Sequence, residues 1–540
     1  MTVVYKSPQG PIRNLYHGNA AQFIINSPSV QKNLKKPLYI DANNGKTLTG
    51  QQCVDYIKRI SYTLRTKFGI GYDDVVCLLV RNSIYVPVLD YGILGCGGIV
   101  SPVNVAYLPH EVAHQVRATK AKLVIVSPDL RPTMDEALKE KGLAVDNVIT
   151  LDDFITEVDR AQGTDEPIKL DKNSCKEKDA FYCFSSGTSG VPKGVMTTHH
   201  NATSNCLQQS QSGRSFYHHK KRFGAVLPMS HIYGISSFVF TTFYCANTCV
   251  IFERFHLETM LQSIIKYRIT NMHLVPPIIV QLAKSPIVDR YLDISKSLRE
   301  VMSGAAPLSD SLVKKTEKRI KVKIKQGYGM TETSPLSHFF DHDPKRYKAA
   351  SVGWLVRGQQ ARIVSQESGK DCPKGKPGEL WLKGPNVMKG YLDNPRATKE
   401  VLTPDGWYKT GDIAVIDSTG QFYIVDRAKE LIKSKGHQVA PAELEAHLLT
   451  HPEVIDCAVT GVYEQEEATE LPRAFVVLTQ KGDPQSIKKW FDSTVARHKR
   501  LWGGIVVLEA IPKSPSGKIL RKDLRTRKED KVLGLKEAKL

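Results

Sequence analysis

Several features that would place this chain in a common class of protein are missing from its sequence. Its ten cysteines form no CxxC pair, and Cys77, Cys96 and Cys183 lie in apolar runs. This arrangement predicts reduced, buried thiols in an intracellular protein, with neither a zinc site nor a disulfide framework. No uninterrupted apolar run reaches about 20 residues, so we expect no membrane-spanning helix. The N-terminal residues also lack the charged-then-apolar layout of a signal peptide.

Negative charge is scarce relative to positive charge. Lysine and arginine number 75 against 55 acidic residues, which gives a formal net charge of +20. A basic protein of this kind is compatible with nucleic acid, an anionic membrane surface or polyanionic small ligands as partners. None of the usual RNA- or DNA-binding motifs is present, and neither is an internal repeat or a low-complexity tract. Charge alone therefore leaves the partner open.

What the chain does contain, over much of its length, is an alternation of helical and strand-like segments. The 540 residues exceed what one hydrophobic core usually supports, so we expect at least two domains. Residues 48–68 have helical spacing of apolar positions, and residues 75–80 (VVCLLV) form an apolar run typical of a buried parallel strand. Further helices are predicted over residues 86–98, 111–119, 234–246 and 256–267, and strands over residues 99–103, 123–126, 222–229, 248–252 and 272–275. The pattern indicates a large α/β domain with parallel sheets.

The sequence changes character from about residue 353. Residues 360–364 and 378–384 (GELWLKG) are short and alternate between apolar and polar positions, which predicts a small β-rich subdomain. A charged unit begins near residue 426. It contains a predicted helix over residues 441–450, a strand over residues 454–462 and two further elements over residues 472–479 and 486–499. We therefore predict a second, compact α+β domain at the C-terminal end.

The most informative stretch is residues 181–200, which read FYCFSSGTSGVPKGVMTTHH. Small residues after an apolar strand let the backbone approach a ligand, and hydroxyl groups, turn amides and a lysine attract phosphate. The stretch is not the common P-loop, because its lysine precedes a glycine and follows a proline. Such composition is also typical of a surface loop, but its position directly after a strand favours phosphate binding. The candidate phosphate ligands are Ser185, Ser186, Gly187, Thr188, Ser189 and Lys193.

Three other regions carry side chains that suit a nucleotide. Residues 326–335 (QGYGMTETSP) offer an aromatic face for a base and a carboxylate for magnesium beside phosphates, although a polar turn with a buried tyrosine accounts for them equally well. Residues 408–417 (YKTGDIAVID) contain an aspartate that suits two ribose hydroxyls; an exposed turn is the simpler interpretation. Residues 426–445 carry four cations, and residues 512–524 (PKSPSGKILRKDL) place a lysine in a Ser-Gly turn. Taken alone, the four cations of residues 426–445 and the lysine turn of residues 512–524 are each typical of a solvated surface.

Taken together and in this order, the motifs resemble those of the adenylate-forming superfamily, which includes acyl-CoA synthetases, peptide-synthetase adenylation domains and beetle luciferases. The resemblance extends from about residue 48 to residue 524. It implies that the GYGxTE segment lies against adenine and the α-phosphate, that Glu332 holds Mg²⁺ and that Asp412 binds the ribose. It also implies that Lys518 enters the site in one conformer, where it bridges the substrate carboxylate and the α-phosphate.

The same resemblance implies a hinge and a set of further contacts. Arg427 would approach the ribose, Lys429 would be the hinge residue, and Lys433 and Gln438 would meet the acyl-adenylate. The implied catalytic residues are Thr331, Glu332, Lys433 and Lys518. The implied ATP- and AMP-binding residues, besides the phosphate loop, are Gln326, Gly327, Tyr328, Thr331, Asp412, Arg427, Lys429, Lys433, Gln438 and Lys518.

Residues 228–237 (PMSHIYGISS) and 301–308 (VMSGAAPL) are most similar to the 4-coumarate–CoA ligase branch. The implied lining of the acyl pocket is His231, Tyr233, Ser237, Met302 and Ala305. A carboxylate is already ionised near neutral pH, so we expect His231 to position the substrate rather than act as a general base.

Coenzyme A would contact residues on both sides of the active site. The implied contacts are Arg254, Lys435 and Gly436. Arg254 stands where many relatives have a lysine, which keeps the charge but changes its geometry.

The resemblance thus implies an N-terminal AMP-binding domain over residues 1–426, with the β-rich subdomain at about 353–426, and a mobile C-terminal domain over residues 427–540. The expected activity is that of an ATP-dependent, AMP-forming acid–CoA ligase with Mg²⁺ as cofactor. Its acid would be aryl or hydroxycinnamate-like, or a medium-chain fatty acid, and nucleic acid is not an expected partner. A luciferase-like oxygenase or a carrier-loading adenylating enzyme on the same fold is the alternative.

The last three residues, Ala538, Lys539 and Leu540, resemble the small-basic-Leu peroxisomal address. We therefore expect a peroxisomal import receptor as a partner and the peroxisome as the location, with the cytoplasm as the alternative.

Overall fold

The structure is a computed structural model that describes residues 3–143, 145–185, 192–218, 220–340, 342–343, 345–434, 437–465, 469–514, 517–527 and 529–535. In this part of the chain the strands are, in order, β1 Tyr5–Lys6, β2 Pro37–Asp41, β3 Thr47–Thr49, β4 Val75–Leu79, β5 Ile99–Pro102, β6 Leu123–Val126, β7 Asn147–Thr150, β8 Asp179–Ser185, β9 Lys193–Thr198, β10 Arg222–Ala225, β11 Thr248–Ile251, β12 Asn271–Leu274, β13 Glu300–Ser303, β14 Lys323–Gln326, β15 Tyr328–Gly329, β16 Leu336–Phe339, β17 Trp354–Leu355, β18 Gln360–Val364, β19 Gly378–Lys383, β20 Gly390–Tyr391, β21 Tyr408–Ile416, β22 Phe422–Arg427, β23 Ile432–Ser434, β24 His437–Val439, β25 Val454–Glu464, β26 Thr469–Leu478 and β27 Ile505–Val507.

The helices of the same residues are α1 Ala20–Ile25, α2 Pro28–Gln31, α3 Gly50–Phe68, α4 Val86–Gly95, α5 Pro109–Thr119, α6 Arg131–Ala137, α7 Leu151–Arg160, α8 Ser174–Glu177, α9 His199–Ser212, α10 Ile232–Gly234, α11 Thr242–Tyr244, α12 Leu257–Lys266, α13 Pro276–Lys284, α14 Asp310–Ile320, α15 Pro395–Val401, α16 Pro441–Leu448, α17 Pro484–Thr494 and α18 Arg521–Thr526. Short 3₁₀ segments are Pro128–Leu130, Pro286–Lys296, Thr331–Thr333 and Arg497–Lys499, and Ile235–Thr241 is π-helical. Within the described residues, none of the helices is both long enough and apolar enough to cross a membrane.

Two seven-stranded sheets form the larger part of the fold. The first has the order β14-β13-β12-β10-β11-β2-β3 and is parallel except at β3. The second has the order β20-β9-β8-β5-β4-β6-β7 and is parallel from β8 to β7. Helix α4 is buried on all its residues and packs against α3 and the π-helical segment. These layers confirm the predicted α/β class with parallel sheets and helices.

Two smaller sheet units follow. An antiparallel five-stranded sheet, β1-β18-β19-β21-β22, confirms that the region after residue 353 is rich in strands. Its edge strand β1 comes from the N-terminal end of the chain, and local sequence patterns do not show such long-range pairing. The C-terminal unit contains the sheet β25-β26-β27, the hairpin β23-β24 and the helices α16 and α17. This arrangement agrees with the predicted α+β unit, and β22 contains the predicted boundary at residues 426 and 427.

Several predicted helices differ at their ends from the observed elements, and for two of them the structure shows the reason. The helix predicted from residue 48 begins at Gly50, because Leu48 pairs in β3 and Thr49 caps the helix through reciprocal hydrogen bonds with Gln52. The single helix predicted over residues 234–246 is instead α10, the π-helical segment and α11. All residues of Ile235–Thr241 are buried, so apolar residues do not recur at a spacing that would distinguish a π-helix from an α-helix.

Candidate active site

The parallel strands of the first sheet bring three predicted segments and the residues after β12 to one edge. Strands β10, β12, β13 and β14 run in the same direction, so the segments that follow them lie at the same side of the sheet. These segments contain residues 228–237, 275–277, 304–305 and 327–328. In open α/β sheets, ligands bind outside the carboxyl ends of the strands. The topology therefore places the predicted acyl and adenine segments together.

The predicted phosphate loop joins two antiparallel strands of the second sheet. Strand β8 ends at Ser185 and β9 begins at Lys193, and these two residues lie opposite each other. The Lys193 Nζ atom lies 5.1 Å from the centroid of the Tyr391 ring, a cation–π contact. The other candidate ligands, Ser186, Gly187, Thr188 and Ser189, lie outside the described residues. The structure therefore fixes both ends of the loop.

A buried carboxylate lies beside this hairpin. Glu332, in the 3₁₀ turn Thr331–Thr333, is only 9% exposed. Its Oε1 atom accepts hydrogen bonds from the Tyr391 hydroxyl at 3.0 Å and from Ser185 Oγ at 3.3 Å. Thr331 is equally buried in the same turn. Tyr391 was not among the predicted residues, yet it joins the phosphate loop to the carboxylate.

The predicted ribose ligand lies in a second polar cluster. The Tyr328 hydroxyl donates to Asp412 Oδ2 at 2.5 Å, and Arg427 Nε lies 3.4 Å from Asp412 Oδ1. Asp412 and Arg427 face each other in the β21–β22 ladder, which explains their proximity. Burial raises the pKa of Asp412, while Arg427 and Tyr328 oppose this shift. The structure thus brings together three residues that the sequence placed in three separate motifs.

Gln326 and Gly327 shape the turn that presents Tyr328. Gln326 Oε1 accepts from the Leu308 backbone N–H at 2.7 Å, and its Nε2 donates to the Ala349 carbonyl at 2.6 Å. A Cβ atom on Gly327 would lie 2.3 Å from Met302 Cε, so a larger residue there would displace the end of the Met302 side chain. These two residues therefore act mainly by holding the loop in place.

The C-terminal unit delivers Lys518 to the same cluster. The preceding Gly517 has φ +81°, and a Cβ atom on it would lie 3.1 Å from Pro277 at the carboxyl end of β12. The pKa of Lys518 is lowered to about 8, mainly by burial and also by Arg427, whereas Glu430, Asp412 and Glu332 oppose the shift. Together with the contact of Gly517 with Pro277, these charge effects indicate that Lys518 is close to the nucleotide motifs.

The remaining hinge-region residues lie at the surface. Lys429 is in an exposed turn directly after β22. Lys433 and Gln438 face each other in the β23–β24 hairpin, and both side chains are exposed. The Lys433 backbone N–H donates to Glu470 Oε2 at 2.7 Å, within the C-terminal unit. The structure therefore does not bring Lys433 and Gln438 into the buried cluster, and Lys435 and Gly436 lie outside the described residues.

The predicted acyl residues surround a tyrosine ring. His231 Nδ1 accepts from the Tyr233 backbone N–H at 3.2 Å, and burial, aided by the charge of Lys518, lowers the His231 pKa to about 4. The Tyr233 ring would lie 3.0 Å from a Cβ atom on Gly304, so this glycine makes room for the ring. Met302 is buried on β13. The neutral His231 therefore suits a positioning role.

Two other predicted acyl residues occupy different environments. Ser237 is buried in the π-helical segment, whereas Ala305 is exposed and has φ +73°. The left-handed backbone of Ala305 marks the turn after β13.

A hydrogen-bonded chain behind Tyr233 was missed by the sequence analysis. The Tyr233 hydroxyl lies 3.2 Å from His273 Nδ1, and His273 Nε2 lies 3.2 Å from the Tyr217 hydroxyl. Burial lowers the pKa of His273 to about 3, so the ring is neutral. A histidine within the apolar strand β12 was the available signal, although most such residues simply pack in a core.

This chain continues to the backbone. The Tyr217 hydroxyl donates to Gln209 Oε1 at 3.1 Å, and Gln209 Nε2 donates to Asn205 Oδ1 at 2.9 Å. The backbone N–H of Leu336 also donates to Asn205 Oδ1, at 3.2 Å. Buried side chains thus connect the acyl region to the strand that follows the GYGxTE segment.

Arg254 lies apart from these clusters. Its side chain is 62% exposed and pairs with Asp129 at 2.9 Å and with Glu253 at 3.6 Å. Arg81 also pairs with Asp129, at 2.6 Å. The structure therefore places Arg254 in a surface ion-pair network. The targeting residues Ala538, Lys539 and Leu540 lie outside the described residues.

Comparisons with known proteins show the family and the fold of the chain. Residues 28–392 match the family model described as AMP-binding enzyme, and residues 443–518 match that of the AMP-binding enzyme C-terminal domain. The chain is 37% identical to a 4-coumarate–CoA ligase of Pinus taeda, over 91% of this chain and 92% of that protein. The ATP-bound MatB structure from Rhodopseudomonas palustris is similar with a TM-score of 0.82 and 26% identity, over 94% of this chain and 98% of that one. A Mycobacterium tuberculosis fatty acyl CoA synthetase is similar with a TM-score of 0.71 and 27% identity, over 94% and 97% of the two chains.

Proposed function

The chain belongs to the AMP-binding enzyme family, and on that premise we propose that it is an ATP-dependent, AMP-forming acid–CoA ligase. In its first step a carboxylate attacks the α-phosphorus of ATP and releases pyrophosphate. In the second step the thiol of coenzyme A displaces AMP from the acyl-adenylate and loses its proton. The observation that carries the proposal is the contact of Gly517 with Pro277 at the end of β12, which brings the adjacent Lys518 within electrostatic range of Asp412, Arg427 and Glu332.

The residues of the cluster bind and orient the reactants of the first step. The Asp412 carboxylate suits the ribose hydroxyls, the Tyr328 ring suits adenine, and Ser185 and Lys193 suit the phosphates. Protonated Lys518 reduces the repulsion between the attacking carboxylate and the α-phosphate. Transfer of this kind depends on positioning and charge neutralisation rather than on covalent help from the protein.

Glu332 fits the role of a magnesium ligand. The two groups that donate to its Oε1 atom, the Tyr391 and Ser185 hydroxyls, are neutral, so they leave the carboxylate charge available to a cation. Magnesium prefers carboxylate and phosphate oxygens. When bound with ATP, Mg²⁺ would reduce the negative charge on the phosphate oxygens. Thr331, buried in the same turn, would help to keep that carboxylate beside the phosphate loop.

We further propose that the two steps use different arrangements of two domains. Residues 1–426 would form the AMP-binding domain, with a β-rich subdomain at about 353–426, and residues 427–540 would form a mobile lid. The lid would turn about Lys429, withdraw Lys518 and bring Lys435 and Gly436 to the site. The exposed turn that contains Lys429 supports a hinge at this point, since a turn at the end of a strand absorbs backbone rotation.

The exposed cations and amide have roles that depend on this motion. Lys433 and Gln438 would meet the acyl-adenylate, and Arg254 would contact coenzyme A. For Arg254 this contact requires the exchange of its ion pair with Asp129 for a phosphate of coenzyme A. Exposed ion pairs contribute only about 0–1 kcal/mol, so this exchange costs little.

The acid itself is proposed from the acyl pocket and from the relatives. The pocket would be built by Tyr233, Met302, His231, Ser237 and Ala305, which together combine apolar surface with a phenol hydroxyl. This lining is compatible with hydroxycinnamates, with other aryl acids and with medium-chain fatty acids. The similarity to a 4-coumarate–CoA ligase and to a fatty acyl CoA synthetase supports the same classes.

A panel of carboxylic acids tests the proposal. Purified protein is incubated with ATP, Mg²⁺ and each acid, with and without coenzyme A, and pyrophosphate, AMP and acyl-CoA are followed by mass spectrometry. We expect pyrophosphate together with a matching acyl-CoA for at least one aryl or medium-chain acid. Pyrophosphate without any thioester would favour a carrier-loading enzyme, and light emission with luciferin would favour a luciferase-like oxygenase.

We also propose the peroxisome as the location, on the basis of Ala538, Lys539 and Leu540. The test compares a fluorescent fusion that ends in these residues with one in which Leu540 is changed to Asp. Punctate fluorescence that overlaps a peroxisomal marker only in the first fusion would support binding by an import receptor. Diffuse fluorescence in both would indicate a cytoplasmic protein.

A further inference from the structure

A second cluster of chemically active side chains lies apart from the nucleotide site. It consists of His17 before α1, Cys175 in α8 and His200 in the first turn of α9. Their ligand atoms all lie within 4.8 Å of one another. The two imidazole rings are nearly parallel, with centroids 5.4 Å apart. Within the described residues, no second group of three such side chains is this compact.

The two histidines have unsatisfied polar atoms in this cluster. The Nδ1 atoms of His17 and His200 are buried and have no hydrogen-bond partner. His200 is only 8% exposed. A buried polar atom without a partner is unfavourable, so two of them in one cluster favour a site that binds a ligand.

The unpartnered ring nitrogens also suit a metal ion. Histidine binds such an ion through a ring nitrogen that carries no proton. The Nδ1 atoms of His17 and His200, which have no hydrogen-bond partner, are therefore available as ligand atoms.

We propose that His17, Cys175 and His200 form a binding site for a borderline transition-metal ion, with Zn²⁺ as the ion of choice. One thiolate and two neutral imidazoles are typical zinc ligands, at about 2.3 Å and 2.0–2.1 Å respectively. Solvent would occupy the fourth position. The Cys175 thiol, which now lies 3.5 Å from the Lys172 carbonyl, would release its proton to solvent as the Zn–S bond forms.

The thiolate formed on metal binding would also offset positive charge around the site. Lys172 and Lys176 make the surroundings positive, which by itself disfavours a cation. Coordination through a thiolate brings a negative charge to the ion and offsets part of this repulsion. The soft sulfur ligand also selects against Mg²⁺, which prefers oxygen.

The site would join three segments that are distant in the chain. Helix α8 precedes β8 and α9 follows β9, so the ion would hold the two outer ends of the hairpin whose inner ends flank the phosphate loop. His17 would attach the N-terminal segment to the same point. The cysteine spacing predicted no zinc site, because spacing rules detect only ligands that lie close together in sequence.

Metal titration of the purified protein tests this proposal without using its enzymatic activity. Protein stripped with a chelator is titrated with Co²⁺ and with Zn²⁺, and bound metal is counted by elemental analysis after gel filtration. We expect one tightly bound ion per chain, a thiolate-to-cobalt charge-transfer band and visible bands of tetrahedral Co²⁺. Zinc should raise the thermal midpoint of the stripped protein by mass action. A protein that binds less than a tenth of an equivalent would overturn the proposal.

Two variants and a matched control identify the ligands. His17→Gln changes the most exposed of the three residues, so folding should be least affected, and Cys175→Ser removes the sulfur. Each should lower Zn²⁺ affinity at least tenfold, and Cys175→Ser should abolish the charge-transfer band. Cys372→Ser is the control, because Cys372 is also a buried free thiol 3.5 Å from a backbone carbonyl. Unchanged metal binding in both variants, or an equal loss in the control, would contradict the assignment.

Discussion

At the scale of single residues, the charge of Lys518 is the feature on which the proposed first step depends most. The residue is held in a partly buried cluster in which Arg427 disfavours its charge and three carboxylates favour it. Such a balance keeps the ammonium group close to its titration point near physiological pH. The cluster would therefore respond strongly both to removal of this charge and to a change in pH.

Removal of the charge should separate the two steps. Lys518→Ala should lower the rate of acid-dependent pyrophosphate release by about 10²–10³-fold, the size of effect seen when one electrostatic contact to a transition state is lost. The same variant should form acyl-CoA from a supplied acyl-adenylate at nearly the normal rate. Both half-reactions are measured by rapid quench and mass spectrometry. Lys522→Ala, an exposed lysine on α18, is the control; equal loss of both half-reactions would disprove the division of roles.

The pH dependence of the first step should report the same group. The active form of Lys518 is the protonated one, and its pKa is lowered to about 8 in the free protein. The kcat/KM for ATP, which reflects the free enzyme, should therefore fall as the pH rises through about 8. Lys518→Arg should keep its charge and remove this fall, even if its rate is lower. A flat profile between pH 7 and pH 9.5 in the unmodified protein would argue against the assignment.

At the scale of elements, the loop that carries Lys518 is shaped by Gly517. Its φ of +81° is disfavoured for residues with a Cβ atom, and Pro277 leaves little space for one. A side chain in the left-handed region costs about 1–2 kcal/mol. The conformation of the loop and its contact with the end of β12 are therefore coupled through one residue.

Gly517→Ala should weaken the docking of this loop. We expect pyrophosphate release to fall by roughly 5- to 30-fold, which corresponds to the 1–2 kcal/mol above, while acyl-CoA formation from supplied acyl-adenylate stays nearly unchanged. Gly375→Ala is the matched control, since Gly375 has φ +83° and no heavy atom within 4 Å of the added Cβ. The rates are compared at a temperature at which both variants are folded by circular dichroism. A similar loss in the Gly375 variant would show that general destabilisation, and not the docking of this loop, is responsible.

The elements also show which parts of the site the sequence could predict. Ser185, Lys193 and Glu332 lie in local motifs whose residue types suit phosphate and magnesium, and the fold brings all three together. Tyr391 was missed because it is 59 residues from the Glu332 that it contacts, and a Gly-Tyr pair carries no local signal. His273 was missed for a similar reason, since within a buried strand it looks like any core residue.

The secondary structure was predictable for elements that bury only one face, and it was less predictable for elements that are buried on all sides. Helix α3 has a clear amphipathic pattern, and only its start was placed two residues too early, because Thr49 was not recognised as its cap. The π-helical segment Ile235–Thr241 is buried on all sides, so no periodicity reveals its winding. The pairing of β1 with β18 depends on residues more than 350 positions apart, which no local rule detects.

At the scale of the whole molecule, contacts between the C-terminal unit and the larger part of the fold hold Lys518 near the nucleotide motifs. One of them is the hydrogen bond from Lys284, at the end of α13, to the Val454 carbonyl at the start of β25. Another is the approach of Gly517 to Pro277. If the second step requires these contacts to break, weakening one of them should affect the steps in opposite directions.

Lys284→Met tests this expectation. It removes a hydrogen bond worth about 1 kcal/mol, so pyrophosphate release should fall roughly fivefold, while acyl-CoA formation from supplied acyl-adenylate should be unchanged or faster. Lys318→Met, at an exposed position of the neighbouring helix α14, is the control. Both half-reactions are measured in single-turnover experiments. A parallel decrease of the two would indicate a general loss of stability.

The hydrogen-bonded chain behind the acyl region has a fixed polarity. The backbone N–H of Leu336 can only donate, so the Asn205 oxygen is identified as Oδ1, and the amide that donates to it must be Gln209 Nε2. Gln209 Oε1 is then an acceptor, so the Tyr217 hydroxyl must donate a hydrogen bond to this atom.

The polarity continues through the histidine. The Tyr217 hydroxyl already donates to Gln209, so its oxygen can only accept a hydrogen bond from His273 Nε2. A neutral imidazole has one N–H, so His273 Nδ1 must then be the acceptor for Tyr233. The Tyr233 proton is therefore turned inward, and its oxygen keeps only lone pairs for any other partner. An acid whose tail carries a hydroxyl or another donor can bond to this oxygen, whereas one that ends in a bare acceptor meets repulsion. The backbone N–H of Leu336, in a distant strand, thus determines that Tyr233 accepts, rather than donates, the hydrogen bond that it offers to a ligand.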